Sequence, residues 1–160
     1  MKKLGIILMI IFLFVGCGRV QKRGSQKISR HFTFYEATYS SYGKRHRISN
    51  YPTRADYKRI RHTAQRMERI RRIVGQQIHV NSWYRGKKIN RRVGGSSTSA
   101  HTKGLAVDFT VKGDLRKAFN RIIKSGYSYD QIIYYRRRRY IHISFKENPR
   151  HERRQKFYKW

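Results

Sequence analysis

The sequence predicts an α+β fold: a small antiparallel sheet with flanking helices. Three observations predict it. A long amphipathic helical pattern runs from Thr53 to Gly75, two strand-like runs flank a Gly/Ser-rich loop between residues 77 and 111, and a hairpin pattern occupies residues 131–145. Strand, strand, helix and hairpin in that order suit helices segregated against an antiparallel sheet.

Each element has a local cause. Thr33-Phe34-Tyr35-Glu36 matches a capping box, in which Thr33 and Glu36 satisfy each other's orphan backbone donors. Tyr39 to Pro52 has no period and reads as loop. From Thr53, the apolar residues Tyr57, Ile60, Ala64, Met67, Ile70 and Val74 fall three or four apart on one face, and Gly75 supplies the stop. Gln77 to Ser82 alternates Ile78 and Val80 with polar neighbours, as a half-buried strand does. Gly94 to Ser99 is loop by composition, and Leu105 to Val111 reads as the second strand. A second helix spans Asp114 to Ser125, with Leu115, Ala118, Phe119, Ile122 and Ile123 inward and Gly126 at its end. Gln131–Tyr135 and Tyr140–Phe145 form the hairpin, turning through Arg136–Arg139.

Length and charge bound the rest. The chain has 160 residues, enough for one domain with one modest core. Lys and Arg number 39 against 8 Asp and Glu, a formal charge of +31. Such a surface attracts anionic cell-wall polymers or an anionic membrane surface. Nucleic acid would be held only in a salt-sensitive, sequence-blind way, and no nucleic-acid motif is present. Self-repulsion makes a monomer the default.

Residues 1–17 read as an export leader: Lys2 and Lys3, an apolar run from Leu4 to Val15, then Phe14-Val15-Gly16-Cys17 in the manner of a lipoprotein cleavage box. Cys17 is the only cysteine, which excludes an intramolecular disulfide and suits a lipid anchor. The expected location is therefore the periplasm or cell envelope. Residues 18–30 read as a basic tether, 31–148 as the folded domain and 149–160 as a basic C-terminal tail.

Chemistry concentrates between Asn81 and Asp108. His101 precedes Asp108 by seven positions, and His142 follows in Tyr140-Ile-His-Ile-Ser144. Two imidazoles and a carboxylate, without nearby cysteine, are the donor set of a catalytic zinc ion that keeps one position open for water. Ligands on strands are held rigidly, as a hydrolytic metal site requires.

Six motifs arrive in order: S-W-Y-R at Ser82–Arg85, I-N at Ile89–Asn90, V-G-G-S-S-T-S-A-H at Val93–His101, G-L-A-V-D at Gly104–Asp108, Y-D-Q-I-I at Tyr129–Ile133 and Y-I-H-I-S at Tyr140–Ser144. Together they resemble the M15 zinc peptidases of bacterial and phage cell-wall metabolism, in their short single-domain form. The resemblance covers roughly residues 31–146 and implies the Hedgehog/DD-peptidase-like fold. It implies His101, Asp108 and His142 as ligands of Zn2+, and Arg85 as the arginine that recognises substrate. Ser99 would support the site or hydrogen-bond substrate, with a simple cap as the alternative.

The implied activity is hydrolysis of peptidoglycan stem peptides, as a D-Ala-D-Ala carboxypeptidase or a stem endopeptidase. The chain departs from the family pattern at the general base. The acid expected three residues before the last histidine is Arg139, and the alternative position at the end of the preceding strand is Tyr135. If the hairpin turns at Arg137-Arg138, Tyr135 pairs with Tyr140 and shares a face with His142. Asp130, the only carboxylate between Asp114 and Glu147, is the remaining candidate for the base, with a turn cap as its alternative role. A metal-containing wall-binding module without catalysis is the competing reading.

Overall fold

The computed structural model of the protein describes residues 26–160, so the export leader read over residues 1–17 lies outside the described residues. One five-stranded sheet carries the helices. Its strands are β1 (Ile78–Ser82), β2 (Ala106–Val111), β3 (Gln131–Tyr135), β4 (Tyr140–Ser144) and β5 (Gln155–Lys159), in the order β1-β2-β4-β3-β5. The first four pair antiparallel, as expected, while β5 joins β3 in parallel.

The helices form where local signals place them. The capping box at Thr33 and Glu36 closes in both directions and opens α1 (Phe34–Thr38). A second short helix, α2 (Ser41–Arg45), lies inside the segment read as loop; Ser40 caps it, but five residues are too few to show a period. The long helix α3 (Arg54–Val74) starts at the Thr53 cap and stops where Gly75 takes φ +69°, the left-handed conformation that glycine adopts without strain. Short α4 (Lys87–Arg92) precedes the Gly/Ser loop, and α5 (Leu115–Lys124) is capped by Asp114.

The core lies between the helices and one face of the sheet. Ile60, Ala64, Met67, Ile70 and Val74 of α3 meet Ala118, Phe119 and Ile122 of α5, and both helices cover Val107, Phe109, Ile132, Ile141 and Ile143. Trp83 is fully buried and donates its indole N–H to the Gly104 carbonyl (2.9 Å). Gly104 sits at φ +74°, and a Cβ there would come within 2.5 Å of Ile60 Cγ1, so glycine lets the chain behind His101 press onto α3.

Two boundaries differ from the sequence reading. Residues 26–30 are packed on the domain rather than forming the end of a tether: Ile28 is buried, Lys27 bridges to Thr33, and Ser29 donates to Glu68 (2.7 Å). The segment 149–160, read as a tail, instead folds back. Glu152 accepts from Arg66 (3.1 Å to each oxygen), and β5 then adds to the sheet edge. The strand Gln155-Lys-Phe-Tyr-Lys159 is too basic and too exposed to show an apolar alternation, which hid it.

Candidate active site

The other face of the sheet carries the chemistry. A register shift between Val80 and Ser82 brings Ser82, rather than Asn81, opposite Asp108. Asp108 in turn pairs with His142, and His142 with Ile133. Ser82, Asp108 and His142 therefore stand in one transverse row across three strands, where directly opposed side chains meet. His101 arrives from outside the sheet on a single turn of 3-10 helix, Ala100–Lys103.

The three candidate ligands converge. One donor atom from each of His101, Asp108 and His142 lies within 4.8 Å of the other two. Asp108 Oδ1 is 2.7 Å from His142 Nδ1 and 3.2 Å from His101 Nε2, and the two imidazole nitrogens are 3.3 Å apart. His101 Nδ1–H donates to the Trp83 carbonyl at 2.6 Å. A carbonyl only accepts, so this bond fixes the tautomer and leaves the Nε2 lone pair facing the cluster, as metal-ligating histidines require. His101 and Asp108 are buried, while the His142 side chain is 15% exposed and gives the cluster its open side.

Electrostatics keep the set ready for a cation. Burial pushes the Asp108 carboxyl up, but the imidazoles of His101 and His142 beside it outweigh this and hold Asp108 well below the usual carboxylate range. Burial also lowers the His101 pKa, more than Asp108 raises it, so this imidazole stays neutral. An ionised Asp108 and a neutral His101 are the protonation states that metal binding needs of them. The residues present thus fit a divalent metal ion of borderline softness.

Arg85 is brought to the cluster as expected. Its Nε–H donates to Ser82 Oγ (2.8 Å) and its Nη2 to Asp108 Oδ2 (2.5 Å), so the bulge that places Ser82 also aims the guanidinium. Ser99 is not among the converging groups; its hydroxyl accepts from the His101 N–H (3.3 Å) and caps the 3-10 turn, the alternative role foreseen for it.

Asp130 does not reach the site. It precedes Ile133, the His142 partner, by three residues, about 10 Å along an extended chain. Arg153 grips both its oxygens (2.9 and 2.6 Å), and Lys146 lies 3.7 Å away. The reason it was a poor candidate is the unforeseen segment 152–155, which supplies that arginine.

The remaining carboxylates are equally committed. Of the eight in the chain, Glu36 and Asp114 cap helices. Asp56 and Glu147 hold Arg59, Glu68 holds His31 and Ser29, and Glu152 holds Arg66. Asp108 alone enters the cluster. Beside it, Tyr135 and Tyr140 stack with ring centroids 4.5 Å apart, in the register expected from the hairpin. Burial, the Asp108 charge and Tyr135 push the Tyr140 hydroxyl up to about 12, so it stays protonated at neutral pH and is no base there. Ser82, the Trp83 carbonyl and Tyr140 are site residues that sequence reasoning did not assign; the first two stand inside the S-W-Y-R motif, which was the available signal.

No curated protein matches the chain. A family model described as Peptidase M15 matches residues 30–144, which include every residue of the cluster and Arg85. The chain belongs to the peptidase M15 family, a family of metal-dependent peptidases.

Proposed function

We propose that the protein is a zinc peptidase that hydrolyses peptidoglycan stem peptides at the cell envelope, as a D-Ala-D-Ala carboxypeptidase or a stem endopeptidase. The observation that carries the reading is the convergence of His101 Nε2, Asp108 and His142 Nδ1 on one point, with the Arg85 guanidinium beside it. When bound, zinc would supply Lewis acidity, polarising a peptide carbonyl and acidifying water. His101, Asp108 and His142 would hold the ion, and the Trp83 carbonyl keeps His101 in the ligating tautomer. With Nε and Nη2 turned to Ser82 and Asp108, the remaining guanidinium N–H groups of Arg85 suit a peptide carboxylate or carbonyl. The Tyr140 hydroxyl, kept protonated, can donate to a substrate oxygen. The surplus of 31 positive charges favours adhesion to anionic wall polymers and to the membrane surface to which Cys17 would anchor a lipidated form.

A second reading is favoured by one observation. No carboxylate other than Asp108 is available at the cluster to take the water proton, the role a nearby acid normally fills. A zinc-containing wall-binding module with weak or no catalysis accounts for that. Release of amine from synthetic stem peptides, measured with zinc-loaded protein and with a chelated control, separates the two. Metal-dependent release supports the peptidase; zinc-loaded, folded protein that binds the peptides without release supports the module.

A further inference from the structure

We propose that the cleft beside α1 and α2 is a subsite for the carboxylate-bearing part of a peptidoglycan stem peptide, an assignment that rests on the peptidase reading above. The cleft has a volume of about 620 Å³ and lies on the segment 34–51. Tyr35, Tyr39 and Tyr51 line it, and these are three of the seven large apolar side chains that the described residues expose. Tyr35 and Tyr39 pair with ring centroids 5.1 Å apart. Solvent-facing aromatics gathered around one concavity mark a binding surface rather than ordinary scatter.

Charge selects the occupant. Lys44 and Arg47 also line the cleft, and no carboxylate does. All eight carboxylates of the chain are engaged at other places, so these cations face an anion only when a ligand brings one. Arg47 is held at φ +51°, a left-handed conformation that a non-glycine residue adopts at a cost and that recurs at binding sites. A neutral glycan would satisfy the tyrosine faces but leave the cations unmatched. A stem peptide, with free carboxylates along a short aliphatic chain, matches both.

Asn50 ties the wall of the cleft to the chain segment that carries Arg85. Asn50 lines the cleft, donates to the carbonyls of Thr38 (2.8 Å) and Tyr84 (2.9 Å), and accepts from the Gly86 N–H (2.7 Å). Its amide therefore fastens the backbone on both sides of Arg85, whose guanidinium lies on Asp108.

The test reads binding without hydrolysis. Metal-free full-length protein is titrated with a synthetic stem tetrapeptide carrying free carboxylates, with the same peptide amidated, and with the wall disaccharide, followed by amide resonances of residues 34–51. The subsite predicts that the free acid shifts these resonances, binding at least fivefold more tightly than the amidated peptide. It also predicts at least fivefold weakening in Lys44→Gln/Arg47→Gln and no change in Lys124→Gln on α5. Equal binding of free and amidated peptide, tighter binding of the disaccharide, or equal loss in Lys124→Gln overturns the proposal. Stem-peptide hydrolysis by the zinc-loaded protein is scored separately. Hydrolysis without shifts in residues 34–51 refutes the subsite alone, and shifts without hydrolysis refute the peptidase.

Discussion

Asp108 and His142 stand directly opposite each other across the β2–β4 pair, and one Asp108 oxygen lies 2.7 Å from His142 Nδ1. Two of the three candidate ligands are thus set by strand register, where a slip of one residue would turn each side chain to the other face. Only His101 depends on a loop, and that loop is tied down by Trp83 and Gly104.

Removing His101 therefore removes the candidate ligand that the loop delivers. His101→Ala is expected to weaken zinc binding by more than about 100-fold, beyond what loss of an orienting partner usually costs. Calorimetric titration of zinc into both proteins checks this.

Under the proposed function, Arg85 serves recognition rather than metal binding. Arg85→Lys keeps the charge but loses the fork to Ser82 and Asp108. The expected outcome is a fall in kcat/KM of about 10–100-fold, or roughly 1.4–2.8 kcal/mol, with zinc stoichiometry unchanged by elemental analysis.

Gly104 tests how tightly the loop is pressed on α3. Gly104→Ala combines φ +74° with a Cβ 2.5 Å from Ile60 Cγ1. It should destabilise the domain by about 1–3 kcal/mol in urea unfolding and lower zinc affinity, because His101 must shift with the turn.

These sites show what the sequence could and could not display. The caps at Thr33 and Thr53, the α3 stripe and the β3–β4 register were legible because each rests on neighbours within one or two turns of chain. The meeting of His101, Asp108 and His142 was legible from the motifs around them. The fifth strand was not, because Phe157 and Tyr158 sit among lysines on an exposed edge and its parallel pairing with β3 leaves no local trace. For the same reason the role of Asp130 was hidden: its partner Arg153 lies 23 residues away in that unforeseen segment.

The fold-back of the C-terminal segment has an energetic signature. Arg66 and Glu152 are both largely buried, with side-chain exposures of 11% and 0%. Arg66→Ala would leave the buried Glu152 carboxylate without a cationic partner, with only the Ser128 hydroxyl and the Lys146 N–H donating to it, a loss of about 3 kcal/mol. Chemical unfolding should show it, together with weakened protection of β5 amides in hydrogen exchange.

Asp130 gives a pH-dependent test of structure against catalysis. Burial raises its pKa, but the hydrogen bonds from Arg153 outweigh this and hold it below the ordinary value. A carboxylate depressed on folding stabilises the domain above its unfolded pKa of about 3.9, and that contribution fades as pH falls through the lower folded value. Asp130→Asn should cost about 1–2 kcal/mol near neutral pH, a difference that disappears in acid. The pH profile of hydrolysis should be unchanged.

Digestion of purified peptidoglycan, followed by mass spectrometry of the released fragments, tests the central claim most directly. The zinc-loaded protein is compared with His101→Ala and with a chelated control. New stem-peptide fragments, absent from both controls, are the predicted result, and their masses identify the bond cut. Folded, zinc-containing protein that binds the sacculi but releases nothing would contradict the account.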